Sequence, residues 1–163
     1  MLIAADTSVL LDLALDTEAV KDALATIRER IPDTRFVVPP TVLHELALAT
    51  GDADEKQDAA SRALSHLTDW GFEPLNLVPV GHGIVERIAD TLRRGGLIPV
   101  EEKNDSLIVA ESALIGCGML LSADAHMRGM DFQKLTVALH GFDVNALIIA
   151  TPREIVHKFM PKR

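Results

Sequence analysis

Tyrosine is absent from this chain, tryptophan occurs once, at Trp70, and phenylalanine only five times. So small an aromatic set argues against the stacking platforms on which RNA-recognition-motif and OB-type proteins hold single strands. Cysteine is almost as scarce. Cys117 stands alone and cannot close an internal disulfide, and its small, apolar surroundings from Ile115 to Met119 predict a buried, inert thiol. A reducing cytoplasm suits that usage, and a cytoplasmic location is expected. No apolar run approaches the ~18 residues that cross a bilayer, so no membrane contact is expected. Asp6, Asp12 and Asp16 interrupt the apolar start before a signal-peptide core forms. Positive charge is in deficit: sixteen Lys and Arg against twenty-four Asp and Glu give a net charge of -8 with histidines neutral. Gripping nucleic acid through bulk positive charge is therefore disfavoured, and a phosphate-bearing ligand needs local basic residues or a bound cation. No glycine-rich phosphate loop opens a helix, which removes P-loop hydrolases.

What is present is globular. With 163 residues, 48% hydrophobic and 25% charged, the chain is expected to form a single domain over residues 1–163, without internal repeats or linkers. Short apolar runs suited to buried parallel strands occur at Leu2–Ala5, Arg35–Val38, Leu75–Val78, Met119–Ser122 and Ala146–Ala150. Helical stripes lie between them: Val20, Leu24, Ile27 and Ile31; Ala60, Ala63, Leu64, Leu67 and Trp70; Ile84, Val85, Ile88 and Leu92; Leu107, Ile108, Ala110 and Leu114. The alternation predicts an α/β fold with a central parallel sheet covered on both faces. Pro39 and Pro40 end the second strand, with Thr41 as the expected cap of the next helix. The tail from Pro161 to Arg163 is expected to fray.

Among twenty-four acids only position carries meaning. Asp6 ends the first strand and Asp124 follows the fourth; Glu45 lies one turn into the helix after the second strand, and Asp105 opens the helix before the fourth. Individually, Asp6 and Asp124 serve as caps or turn residues, and Asp105 answers a helix dipole. Glu45 has no such account, because a capping box opened by Thr41 falls on His44. In right-handed βαβ units, helix N-termini and strand C-termini share one edge, so all four carboxylates face the rim where open α/β sheets bind ligands. Two carboxylates about 5 Å apart at an effective dielectric near 20 repel by roughly 3 kcal/mol, which calls for a cation. A donor set of carboxylates, with six scattered histidines and no thiolate pair, selects magnesium or manganese over zinc.

Asp6, Asp105 and Asp124 are therefore the expected metal ligands, with Glu45 as a further ligand or base, and the four together are the candidate catalytic set. Ser8 and Ser122 are expected to orient them. Arg93 and Arg94, followed by Gly95 and Gly96, offer guanidinium groups for phosphate contact, or else offset the helix dipole. His126 is a further candidate for substrate contact, and Lys103 and Arg128 flank the rim. Glu102 and Glu111 are expected to face solvent, with Glu102 the better additional metal contact.

Taken in order, Asp6-Thr-Ser8, Pro40-Thr-Val-Leu-His-Glu45-Leu, Asn104-Asp105 followed by an apolar helix, Leu120-Leu-Ser-Ala-Asp124 and Thr151-Pro-Arg-Glu resemble the PIN-domain ribonucleases, and among them the VapC-like toxins of toxin-antitoxin pairs. The resemblance spans nearly the whole chain. It implies a three-layer αβα fold with strand order 3-2-1-4-5, in which Asp6 faces Asp124. It also implies metal-dependent cleavage of single-stranded or looped RNA, a homodimer, and an antitoxin partner that inserts a basic residue among the acids. Two departures are visible: Ala125-His126-Met127 stands where many members carry another acid and an aromatic, and Asp52–Trp70 is a fuller helix than small toxins use. The alternative function is a noncatalytic PIN-fold module that binds RNA or protein; retention of all four acids favours the enzyme. A phosphatase on a related sheet is disfavoured, since Asp6 is followed by Thr7 and Ser8 rather than by the second acid of an Asp-x-Asp pair.

Overall fold

The structure, a computed structural model, describes residues 1–51 and 55–159. Strand β1 (Leu2–Ala5) ends at Asp6, whose carboxylate accepts the Thr7 amide hydrogen at 2.7 Å and caps helix α1 (Thr7–Ala14). Helix α2 (Glu18–Arg30) leads into β2 (Arg35–Val38). The two prolines that follow cannot donate to a ladder, and the fixed φ of Pro40 suits a first helical turn, so α3 (Pro40–Ala49) begins there. The remaining elements are α4 (Glu55–His66), β3 (Phe72–Pro74), α5 (Pro79–Arg94), α6 (Lys103–Ile115), β4 (Met119–Leu121), α7 (Ala125–Arg128), α8 (Phe132–His140), β5 (Ile148–Ala150) and α9 (Pro152–Phe159). Thr151 and Glu154 form a reciprocal capping box at the start of α9, with amide-to-side-chain distances of 2.9 and 3.2 Å.

All strand pairings are parallel and the order is β3-β2-β1-β4-β5, the expected 3-2-1-4-5. In β1 and β4 successive residues point to opposite faces, yet Ile3, Ala4, Ala5, Met119, Leu120 and Leu121 are all buried. Both faces of the sheet centre are therefore covered by helices, as an αβα arrangement requires. Helix α2 packs with α9, α3 packs on α4 and α6, and α5 packs on α6 and α8. The four helical stripes fall in or at the ends of α2, α4, α5 and α6, and Cys117 is buried, its thiol pushed up to about 12 by that burial. Among the described residues no helix is long and apolar enough to cross a membrane.

Some boundaries depart from expectation. The third strand is Phe72–Pro74 and not Leu75–Val78, because Gly71 takes a left-handed φ of 80° and turns the chain early. Phe72 then pairs with Phe36, with ring centroids 5.3 Å apart, and Pro74 is tolerated because β3 is an edge strand. The apolar run behind it becomes the approach to α5, which Val78 and Pro79 begin. The fifth strand is shorter than expected. The helix read over Asp52–Trp70 appears as α4; residues 52–54, and the tail expected to fray at Pro161–Arg163, lie outside the described residues.

Two further corrections concern α3 and α6. Pro39, not Thr41, occupies the cap position of α3, and Glu111 does not face solvent: it is only 3% exposed. The Glu111 carboxylate accepts hydrogen bonds from the Thr41 amide (3.0 Å) and hydroxyl (2.6 Å). A proline cap has no side-chain acceptor, so α6 supplies one to the first turn of α3 across the helix interface. Replacing Glu111 with alanine strands the Thr41 amide in the interior, and should lower the free energy of unfolding by about 2 kcal/mol, since hydrogen bonds to charged groups contribute roughly 1.5–3 kcal/mol. Urea denaturation measures this; a midpoint unchanged from the parent refutes it.

Candidate active site

Because β1 and β4 are neighbours with Ala5 opposite Leu121, their carboxyl ends place Asp6 and Ser122 side by side. The Asp6 amide donates to the Leu121 carbonyl at 2.9 Å. Asp6 is 5% exposed. Besides the Thr7 amide, its carboxylate accepts the Ser8 hydroxyl (2.9 Å) and the Ser122 hydroxyl (2.8 Å). The same two hydroxyls hold the loop after β4: Ser8 accepts from the Ala123 amide (3.1 Å) and Ser122 from the Asp124 amide (3.0 Å). Asp124 caps α7 by accepting the His126 amide hydrogen at 2.7 Å. The Asp6 carboxylate and the Asp124 amide are thus linked through Ser122.

Glu45 reaches the same rim from α3. The Thr7 hydroxyl donates to its Oε1 at 2.6 Å, and the Asn104 amide donates to its Oε2 at 3.2 Å. Asp105 lies in the first turn of α6, next to Asn104. Thr7 and Asn104 were not among the residues singled out from the sequence. The only signal for them is adjacency, each standing beside a singled-out aspartate. Glu111 left a clearer trace, because α6 is buried almost all round and an acid within such a helix needs an internal partner.

The electrostatics register the crowding. Burial raises the proton affinity of Asp6, with the Ser122, Ser8 and Thr7 hydrogen bonds opposing the rise. Asp105 is pushed up to about 7, first by burial and then by the charges of Asp6, Asp124, Glu102 and Glu45. The largest charge effects on it all come from other acids, and Glu102, at the cap position of α6, belongs to the set. Among the described residues no three His, Cys, Asp or Glu groups form a ready cage for a metal ion. The acids share a field while hydrogen bonds hold them individually. As a donor set, hard, all-oxygen and mutually repelling, they fit a hard divalent cation.

The basic candidates are disposed otherwise. Arg93 and Arg94 sit in the last turn of α5, not on the glycine loop. Arg93 is 14% exposed and donates to the Ser106 hydroxyl at 2.6 Å, which ties the end of α5 to the first turn of α6 beside Asp105. Arg94 is 82% exposed and pairs with Asp90 at 2.9 Å. Arg128 is paired with Glu154, and His126 is exposed next to Asp124. A separate apolar groove of about 430 Å³ along β5 and α9 contains none of the four acids.

Comparison with known proteins agrees with this fold. The family model described as PIN domain matches residues 3–133. Among solved structures, VapBC2 from Rickettsia felis bound to a DNA fragment from their promoter aligns with a TM-score of 0.65 at 15% identity, covering 93% of this chain and 98% of that one. VapBC-1 from nontypeable Haemophilus influenzae aligns at 0.57 with 17% identity over 93% and 98%, and FitAB bound to an IR36 DNA fragment at 0.51 with 14% identity over 99% and 98%. No curated protein matches the sequence significantly.

The state of Asp105 carries a stability signature. Its folded-state value of about 7 stands above the ordinary aspartate value of about 3.9, so the folded chain binds the extra proton and stability falls as pH rises from about 4 through 7. Asp105→Asn in EDTA-treated protein should therefore raise the melting temperature by about 3 °C or more at pH 8, and by less than half of that gain at pH 5, where only the first part of the loss has accrued. Equal gains at the two pH values refute the coupling.

Proposed function

Because the chain belongs to the PIN-domain family, we propose that it is a magnesium- or manganese-dependent endoribonuclease, acting as the VapC-like toxin of a toxin-antitoxin pair. The observation that carries this reading is the convergence of Asp6, Glu45, Glu102 and Asp124 on the half-buried Asp105, where burial first and then these four charges push its ionisation up to about 7. Asp6, Asp105 and Asp124 would hold the ion, with Glu45 as a further ligand or a base. The ion, when bound, would supply the positive charge that lets an anionic strand approach and would acidify a water for attack on phosphorus. The protein's own part is preorganisation. Ser8 and Ser122 keep Asp6 aimed into the cleft, while Thr7 and Asn104 keep Glu45 from swinging away. Arg94 is the arginine of the pair with solvent access to a phosphate; Arg93 serves by holding α6 in place.

An unneutralised acidic cleft is also complementary to a basic side chain from a protein. The neighbouring structures are of two-component VapBC and FitAB assemblies, which supports an antitoxin that delivers a basic residue to the acids. A homodimer in the cytoplasm completes the reading. Light scattering at tens of micromolar should return twice the chain mass; a monomer removes the dimer and leaves the nuclease untouched.

Cleavage of single-stranded RNA should stop in EDTA and return with manganese. Asp6→Asn, Glu45→Gln, Asp105→Asn and Asp124→Asn should each lower the rate by about a hundredfold or more, and pairs of them by little more than one alone, since residues acting as a unit are not additive. Hydrolysis that persists in EDTA, or an Asp105→Asn protein as fast as the parent, overturns the mechanism in favour of a noncatalytic RNA- or protein-binding module.

A further inference from the structure

Next to the acids, a cavity of about 380 Å³ opens between α3, α5 and α6. Its walls include Pro40 and His44 from α3, His82 and Glu86 from α5, and Asn104 and Leu107 from α6. The volume falls in the range of small-molecule sites. Its floor is the Thr41 to Glu111 contact, whose buried carboxylate already has a donor on each oxygen. One wall is shared with the candidate catalytic machinery, because Asn104 donates to Glu45 at 3.2 Å. The field is shared as well: the proton affinity of Glu111 is raised chiefly by burial, lowered by Thr41 and by His82, and raised again by Glu45.

The lining has a definite chemistry. His44 and His82 are exposed planar rings carried by different helices, and imidazole is one of the surfaces on which unstacked bases rest. Pro40 and Leu107 add apolar surface. The carboxylates are acceptors only when ionised, and Glu86 is in no ion pair among the described residues. Such a cavity favours a flat ring that presents N–H donors. Adenine, cytosine and guanine have an exocyclic amino group; uracil offers two carbonyl oxygens around one N–H. Two histidines and two glutamates also invite a metal reading, but among the described residues they do not come together as ligands.

We infer that this cavity is a base-selecting subsite that takes a nucleobase bearing an exocyclic amino group. Its place beside the scissile phosphate rests on the nuclease reading above; its affinity for a base does not. His44 and His82 supply the ring surfaces, Asn104 and Glu86 read the donor edge, and Glu111 sets the negative potential at the floor. Specificity then arises without the aromatic platform that the composition lacks.

Uncharged nucleosides test this apart from cleavage, because they carry no phosphate for the acids to repel. The histidine ring resonances of the EDTA-treated protein are followed by NMR while adenosine, guanosine, cytidine and uridine are titrated to millimolar concentration. At least one amino-bearing nucleoside should shift His44 and His82 saturably, at least about fivefold more tightly than uridine, with His66, His140 and His157 unmoved. Glu86→Gln, whose amide both donates and accepts, should reduce that preference to about twofold or less. Uridine binding as tightly as the others, no saturable shift with any nucleoside, or shifts with an arginine-bearing peptide alone overturns the subsite. RNA cleavage assayed in parallel separates the two readings. Cleavage without nucleoside shifts removes the subsite and keeps the nuclease, whereas shifts without cleavage keep the subsite and remove the nuclease.

Discussion

A buried carboxylate is tolerable only when its oxygens are occupied, and Asp6 is held in place by that requirement. Three donors from three places meet it: the Thr7 amide from the first turn of α1, the Ser8 hydroxyl one residue further on, and the Ser122 hydroxyl from the end of β4. The bond to Ser122 spans 116 residues of chain and joins the end of the central strand β1 to that of its neighbour β4 at the rim. Ser122 and Ser8 in turn accept amide hydrogens from the loop that carries Asp124. One desolvated acid thereby organises the strand ends, the α1 cap and the position of a second acid.

Glu45 and Asp105 arrive on helices, and their separation is set by how α3 and α6 pack. The Glu111 carboxylate on the first turn of α3 fixes that packing one helical turn below Glu45, where Thr41 supplies both donors. Arg93 does the corresponding work at the other side of α6 through Ser106. These polar contacts lie just beneath the rim, and they hold like charges together that would separate if the helices were free. The cost of that confinement is visible at Asp105, where burial and four acids act in the same direction.

Hydrogen bonds of this kind hold the acids individually, and among the described residues they do not close into a metal cage. Glu45 is drawn toward Thr7 and Asn104, and Asp6 toward its serines, each by neutral donors that leave the negative charge in place. The residual charge is what the proposed cation, an ion or a basic side chain, would neutralise. Beside it, the α3–α5–α6 cavity has a mixed surface of rings, acceptors and apolar contacts, suited to a neutral planar group. Charge recognition and shape recognition thus occupy adjoining compartments that share Asn104.

Much of this was legible in the order of residues. Apolar runs alternating with helical stripes specify a parallel sheet, and a parallel sheet brings strand ends and helix starts to one edge, so Asp6, Glu45, Asp105 and Asp124 could be assigned to a common rim from periodicity alone. Local chemistry also determined the cap at Asp6 and the buried state of Cys117. The partners in contacts between elements were not legible, because they depend on packing distances that no local pattern encodes; even where an apolar helix called for an internal partner to Glu111, nothing local named Thr41. Glu111 read as a solvated acid until α3 was seen to lack a cap. Arg93 read as a phosphate ligand or a counter to the helix dipole, with no sign of the Ser106 hydroxyl that its guanidinium meets, and the third strand moved once Gly71 had turned the chain. The sequence by itself determined which charges would be neighbours; only the tertiary structure decided which donors hold them there, since a hydrogen bond needs its partners within about 3 Å and that precision comes from the packed core.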